Sequence, residues 1–195
     1  MVAGLLPARI KTLYSQTERE TLQAIARKSI LSGLEKHHPL IINVAEYPQH
    51  LQAKRATFVT LNINHNLRGC IGSLTPYQAL VDDIAHNAYA AAFSDPRFPA
   101  VGKQEYEQLE YHISILSDTS AMQFTSEEDL LAQIRPRIDG LILEDKGHRG
   151  TFLPSVWEQL AETEDFLSHL KQKAGLPANY WSDSIQISRY TVESF

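Results

Sequence analysis

The pattern that most limits the fold of this chain is a β-hairpin followed at once by an amphipathic helix. Ala56–Ile63 is rich in β-branched and aromatic residues, a composition typical of a strand. Asn64–Asn66 is a turn signal, and Leu67–Leu74 is predicted to be the returning strand. Because hairpins join antiparallel strands, this segment predicts an antiparallel sheet.

The helix after the hairpin is predicted over Thr75–Phe93. Thr75–Gln78 supplies an N-cap hydroxyl, a proline at the first helical position and a glutamine at the third. Asp95-Pro96 ends the pattern, because the residue before a proline disfavours helical geometry. Apolar residues recur at helical spacing, so we expect a stripe buried against the sheet: Leu80, Ile84, Ala88 and Ala91.

Further helices and strands complete the pattern. Capping boxes predict helices that begin at Thr17 and Thr125, and another helix is predicted over Thr163–Lys173, closed by Gly175. Strands are predicted at His112–Leu116, Gly140–Glu144, Thr151–Leu153 and Ser184–Val192. Strands joined mostly by hairpins, with helices between other pairs, indicate an α+β fold with a mostly antiparallel sheet and flanking helices. The 195 residues permit one domain, or two lobes sharing a core.

Charge and cysteine content exclude several classes of protein. The 18 Lys and Arg against 23 Asp and Glu give a net charge of −5, which disfavours nucleic acid as a partner. Cys70 is the single cysteine, so an intrachain disulfide and a cysteine-based zinc site are excluded, and a cytoplasmic location is expected. Met1–Pro7 lacks a basic region and nowhere do 18 apolar residues run together, so we expect neither a signal peptide nor a membrane span.

Leu67–Gly72, with the sequence Leu-Arg-Gly-Cys-Ile-Gly, is the least ordinary segment of the chain. Gly69 and Gly72 weaken a strand unless close backbone approach requires them. In an extended strand Arg68 and Cys70 project from the same face, where a guanidinium favours the thiolate form of cysteine. The alternative interpretation is a β-bulge that packs Cys70 as a small hydrophobic residue.

The loop Ser94–Phe98 also has two interpretations. Asp95 and Arg97 either tie the loop down through hydrogen bonds and an ion pair, or Arg97 lies beside Arg68 as a clamp for an anion.

Histidines offer candidate bases but no metal site. His65 in the hairpin turn is a candidate base for Cys70 or a plain surface residue, and His112 begins a strand. Neither metal-ligand spacing nor a phosphate-loop or nucleophile-elbow motif occurs, so no metal and no cofactor are expected.

Leu67–Gly72 resembles the hallmark hexapeptide of the AMMECR domain family, whose prokaryotic members are called AmmeMemoRadiSam system protein A. The resemblance covers roughly residues 15–195, so the whole chain, residues 1–195, is identified as a single AMMECR-type domain. Further family motifs follow in the same order: Asn87–Phe98, Ile113–Leu116, Gly140–Leu143, Gly150–Pro154 with Val156-Trp157, and Phe166-Leu167 followed by Lys173–Leu176.

The resemblance has implications for architecture and partners. It implies two unequal lobes in one chain, with the hexapeptide exposed near the groove between them. It brings no established activity, but it implies association with a Memo-type protein and a radical SAM protein. Some relatives carry another cysteine just ahead of Lys173–Leu176, where this chain has Lys171 and Gln172, so a role for a cysteine pair is not expected.

These observations leave alternative functions. The first is a non-catalytic or accessory protein that presents the Leu67–Gly72 groove to a small anionic ligand or to the Memo-type or radical SAM partner. Its expected binding residues are Arg68, Gly69, Cys70, Gly72, Asp95 and Arg97. The second is an enzyme with Cys70 as thiolate nucleophile and Arg68 as anion binder. A weaker alternative is RNA binding. Exposure of Cys70 in a concave site, with a charged side chain within hydrogen-bond reach, would favour the enzyme.

Overall fold

The computed structural model describes residues 12–195. Its helices are α1 (Gln16–Lys36), α2 (Leu80–Phe93), α3 (Lys103–Tyr106), α4 (Glu127–Gln133) and α5 (Thr163–Lys173). Its strands are β1 (Thr57–Ile63), β2 (Asn66–Gly72), β3 (Glu110–Leu116), β4 (Ser120–Ala121), β5 (Gly140–Asp145), β6 (His148–Phe152), β7 (Gln186–Tyr190) and β8 (Val192–Ser194). Short 3-10 helices lie at Val44–Glu46, Gln49–Leu51 and Pro154–Glu158. None of the helices in this range has the length and apolar character that crossing a membrane requires.

The strands form two antiparallel sheets of four strands each. Sheet 1 has the order β2-β1-β3-β8, and sheet 2 has the order β4-β7-β5-β6. Helices α1 and α2 pack on sheet 1, and α5 packs on sheet 2. This architecture confirms the α+β class and the antiparallel pairing expected from the hairpin pattern.

Each sheet has its own apolar core. One core joins sheet 1 to α1 and α2, and the other joins sheet 2 to α4 and α5. A smaller cluster that includes Leu116, Ile142 and Tyr190 lies where the sheets meet. We refer to sheet 1 with its helices as the first lobe and to sheet 2 with its helices as the second lobe.

The apolar stripe of α2 is buried as the spacing predicts, but the helix begins later than expected. Leu80, Ile84 and Ala88 have no exposed surface. The helix begins at Leu80, not at Thr75, because the residues before it pair with another segment. Ala79 is extended and forms a β-bridge with Lys54, and the Leu80 N–H donates to the Ala53 carbonyl. The tertiary contact between Ala79 and Lys54 therefore outweighs the local capping signal at Thr75.

Most other element ends differ from the sequence-based predictions by one or two residues, but β6 begins at His148, three residues before the predicted start at Thr151. The capping box of α1 is formed by Ser15 and Glu18 and not by Thr17, and Ser126 rather than Thr125 caps α4. Several nearby residues of each segment can cap a helix, so packing selects among them. The predicted strand Ser184–Val192 is divided: β7 belongs to sheet 2 and β8 to sheet 1. Helix α5 has the predicted bounds, and Gly175 beyond it has a φ of 80°.

A buried carboxylate connects the first turn of α2 to the start of β1. Asp83 is fully buried and accepts hydrogen bonds from the Thr57 N–H, 3.0 Å, and the Thr57 hydroxyl, 2.6 Å. Asn87 and Gln78 donate to the same carboxylate. Burial raises the pKa of Asp83, and these hydrogen bonds oppose the rise. The carboxylate thus holds the helix against β1, the first strand of the hairpin.

Replacing this carboxylate should destabilise the first lobe. Asp83→Ala leaves the buried N–H and hydroxyl of Thr57 without their acceptor, so we expect the free energy of unfolding to fall by about 2 kcal/mol. Asp82→Ala, one residue earlier at a half-exposed position, is the matched control. Denaturant unfolding measures both. Equal stabilities of the two variants would contradict the role given to Asp83.

Candidate functional site

Cys70 lies on the edge strand of sheet 1, in a row of three polar side chains. It opposes Thr60 on β1, and Thr60 opposes His112 on β3. Directly opposed residues project from the same face of a sheet, so the three share one face. The Thr60 hydroxyl donates to Cys70 Sγ at 3.2 Å. Cys70 is half-buried and His112 is exposed.

This face of sheet 1 forms the floor of a groove between the lobes. The groove has a volume of about 450 Å³. Thr60, Cys70 and Ser114 line it from sheet 1, and Arg137, Pro154 and Glu158 line it from the second lobe. We call this space the Cys70 groove. Its volume lies in the range of pockets for small ligands.

Asp95 and Arg97 cover the outer edge of the strand at Cys70. Asp95 Oδ2 accepts the Cys70 N–H at 2.9 Å, and Arg97 Nη2 donates to the Cys70 carbonyl at 3.2 Å. Arg97 also donates through Nε and Nη2 to the Asp95 carboxylate. The two side chains therefore satisfy backbone groups that an edge strand otherwise leaves open. The Arg97 guanidinium holds the pKa of Asp95 well below its usual range.

Arg68 has other partners than the thiol. Leu61 opposes Gly69 and Asn62 opposes Leu67, which leaves Arg68 as the extra residue of a β-bulge. Its Nε and Nη2 donate to the Glu105 carboxylate at 2.7 and 3.0 Å. The expectation that Arg68 and Cys70 share a face rests on the alternation of side chains between the two faces of a regular strand. The bulge at Arg68 interrupts this alternation.

The pairing of Arg68 also shapes the loop before α3. Arg68 Nη2 donates to the Pro99 carbonyl at 2.9 Å, and Glu105 accepts the Gly102 N–H. Arg68 is the largest cause that lowers the pKa of Glu105. The centroid of the Phe98 ring lies 5.9 Å from Arg68 Cζ and 5.5 Å from Arg97 Cζ. Each arginine of the predicted anion clamp is therefore paired with its own carboxylate.

The two glycines of the hexapeptide permit close packing within the protein. A Cβ at Gly69 would lie 2.1 Å from the Ala91 carbonyl oxygen of α2. A Cβ at Gly72 would lie 2.3 Å from the Thr57 carbonyl oxygen and 2.4 Å from the Phe58 ring. None of these three distances is possible for a real side chain without movement of its neighbours. The space expected for ligand approach at Gly69 is occupied on that side by α2.

Sequence reasoning missed the residues that the second lobe contributes to the groove. Arg137 and Glu158 are far from Cys70 in the chain and carry no motif that connects them with it. The composition of Pro136–Gly140, with a proline, an aspartate and a glycine, is a turn signal that would have marked this position. His65 is exposed, and its Nδ1 lies 3.2 Å from Glu110 and not beside the thiol. In residues 12–195, no three His, Cys, Asp or Glu side chains are grouped to hold a metal ion.

Fold and site together define an α+β protein with two antiparallel sheets and a groove between them that contains the single thiol. The family model described as AMMECR1 matches residues 23–195, so the chain belongs to the AMMECR1 family. A protein of Methanothermobacter thermautotrophicus is 34% identical over 183 residues, which cover 93% of this chain and 95% of that protein. Protein MJ0810 of Methanocaldococcus jannaschii is 34% identical over 158 residues, covering 79% of each chain.

A solved structure supports the same assignment. The crystal structure of the uncharacterized protein PH0010 from Pyrococcus horikoshii has a TM-score of 0.75 to this chain. It is 33% identical in sequence, and the match covers 90% of this chain and 89% of that chain.

A methyl group at Gly69 should destabilise the protein. Gly69→Ala would push α2 away from β2, because its Cβ would lie 2.1 Å from the Ala91 carbonyl oxygen. We expect a loss of about 2 kcal/mol or more in unfolding free energy, as for other overpacked sites. Gly102→Ala, whose Cβ would have its nearest neighbour at 3.8 Å, is the matched control and should be nearly neutral. A neutral Gly69→Ala would overturn this account of the glycine.

The ion pair at the strand edge predicts a specific dependence of stability on pH. The folded-state pKa of Asp95 is lowered, so the ionised carboxylate contributes stability that is complete above its unfolded pKa and is lost as the pH falls. In Asp95→Asn we expect a shallower decline of unfolding free energy below about pH 4 than in the wild type. Asp183→Asn, at an exposed position, is the control. Parallel curves for Asp95→Asn and wild type would contradict the prediction.

Proposed function

We propose that this protein is a non-catalytic, accessory component that presents the Cys70 groove, beside Leu67–Gly72, to an anionic group. The group is a carboxylate or phosphate, carried by a small molecule or by the Memo-type or radical SAM partner that the family resemblance implies. Membership of the AMMECR1 family supports the role as an accessory component, and the geometry of the groove supports the binding of an anionic group.

The environment of the thiol is the observation that carries this proposal. Cys70 Sγ has the Thr60 hydroxyl as its hydrogen-bond partner, and a hydroxyl is too weak a base to remove the thiol proton. His112 lies beyond β1, and two strand spacings place it about 10 Å away, outside hydrogen-bond reach. An adjacent general base is a common means of activating such a nucleophile, and within residues 12–195 Sγ forms no hydrogen bond with a His, Asp or Glu side chain. The arrangement therefore favours a thiol in a binding groove over a thiol that attacks a substrate.

One arginine of the groove wall supplies positive charge for an anionic group. The Arg97 side chain is 52% exposed, but it holds Asp95 at the outer edge of the strand and is not among the residues that line the groove. Arg137 is exposed, lines the groove and forms no ion pair with any residue in the described part of the chain. A guanidinium binds a carboxylate or phosphate through paired hydrogen bonds. Arg137 is therefore the first residue to test.

Protection of Cys70 from alkylation tests the proposal. Because the chain has one cysteine, iodoacetamide labelling followed by mass spectrometry reports on this groove alone. Inorganic pyrophosphate should slow labelling of the wild type by about tenfold at saturation and have little effect on Arg137→Ala, since one charge-assisted pair of hydrogen bonds is lost. Arg149→Ala, at a similarly exposed arginine outside the groove, should behave as wild type.

The same readout with a purified Memo-type or radical SAM protein distinguishes the two sources of the anion. Protection by the partner but not by pyrophosphate assigns the groove to a protein segment. Protection by neither would overturn the proposal. The enzyme alternative is favoured instead if a reaction is found that Cys70→Ser abolishes while the variant still binds its substrate.

A further inference from the structure

The second-lobe wall of the Cys70 groove carries two opposite charges without partners. Arg137 and Glu158 are both exposed and both line the groove. Across residues 12–195, neither forms an ion pair or a side-chain hydrogen bond. The arginines nearer to Cys70 differ, because each already holds a carboxylate.

The backbone at Arg137 is strained and lies in a turn that hydrogen bonds close. Arg137 has a φ of 66°, a left-handed conformation that costs energy for a residue with a side chain. The turn is closed by Asp139, which is fully buried and accepts the Arg135 N–H and guanidinium. Strain of this kind persists where the surroundings impose it, and it is found often at ligand sites.

One hydrogen bond connects the two charged segments. Trp157 Nε1 donates to the Asp139 carbonyl at 2.7 Å, and Trp157 is buried. Arg137 lies two residues before Asp139, and Glu158 directly follows Trp157. The two segments that carry the cation and the anion are therefore joined to each other and form one wall of the groove.

The remainder of the groove is neutral. Thr60, Cys70 and Ser114 on the floor offer hydroxyls and a thiol, and Phe58, Leu153 and Val192 add apolar surface. A ligand that is only anionic would satisfy Arg137 but would also meet the carboxylate of Glu158. A ligand with one anionic and one cationic group satisfies both.

We propose that the Cys70 groove binds a small zwitterion, an α-amino acid with an apolar side chain. Its carboxylate pairs with Arg137, its ammonium pairs with Glu158, and its side chain packs on the apolar part of the groove. This inference rests on the proposed function and names the class of ligand for the same groove.

Charge-blocked forms of one amino acid test the inference. The three compounds L-leucine, N-acetyl-L-leucine and L-leucinamide share a side chain. L-leucine carries both charges, N-acetyl-L-leucine carries the negative charge alone, and L-leucinamide carries the positive charge alone. We expect L-leucine to bind at least about tenfold more tightly than either blocked form, because each lost charge removes a charge-assisted hydrogen bond. Saturation-transfer NMR and calorimetry with the full chain measure the affinities.

Two variants assign the charges to their residues. In Arg137→Ala the preference for L-leucine over L-leucinamide should disappear, and in Glu158→Gln the preference over N-acetyl-L-leucine should disappear. Glu144→Gln, at an exposed carboxylate outside the groove, should retain both preferences.

Two other outcomes of the binding measurements would contradict the inference. Equal affinity of N-acetyl-L-leucine and L-leucine would overturn it and leave the anion-binding groove standing. Absence of binding by all three compounds would overturn it also, while protection of Cys70 by pyrophosphate or by the partner would still decide the proposed function separately.

Discussion

The close contact between α2 and β2 at Gly69 is the constraint on which the rest of the site depends. The Ala91 carbonyl oxygen lies where a side chain of residue 69 would begin. This approach brings the end of α2 to the edge of sheet 1, and the loop after the helix then delivers Asp95 to the Cys70 N–H. The glycine that weakens the strand in isolation thus stabilises the contact of the strand with the helix.

The arginines around Cys70 differ in whether a carboxylate of the protein already pairs with them. Arg68 holds Glu105 and thereby the loop before α3, and Arg97 holds Asp95 and thereby the strand edge. Both of these arginines, which the sequence predicts to form an anion clamp beside the thiol, are therefore already paired with a carboxylate. The charges that remain in the groove come from Arg137 and Glu158 on the other lobe. Both lobes therefore contribute residues to the lining of the groove.

The sequence-based predictions succeeded where the signal was a repeated local pattern. The burial of Leu80, Ile84 and Ala88 follows from spacing of 3.6 residues per turn, and the hairpin of β1 and β2 follows from composition and a turn signal. The start of α2 was wrong, because pairing between Lys54 and Ala79 competes with a local cap. The bulge interpretation of the hexapeptide is confirmed, but Cys70 is half-buried and lines a groove rather than the core.

By itself, the sequence determined the α+β class, the antiparallel hairpin and the buried face of α2, because strand alternation and helical periodicity are properties of neighbouring residues. It also singled out Cys70 and the loop with Asp95 and Arg97, through unusual composition and family resemblance. Only the tertiary structure decided which carboxylate each arginine holds and that Arg137 and Glu158 line the groove. Such partners are distant in the chain, and packing of two sheets with separate cores brings them together.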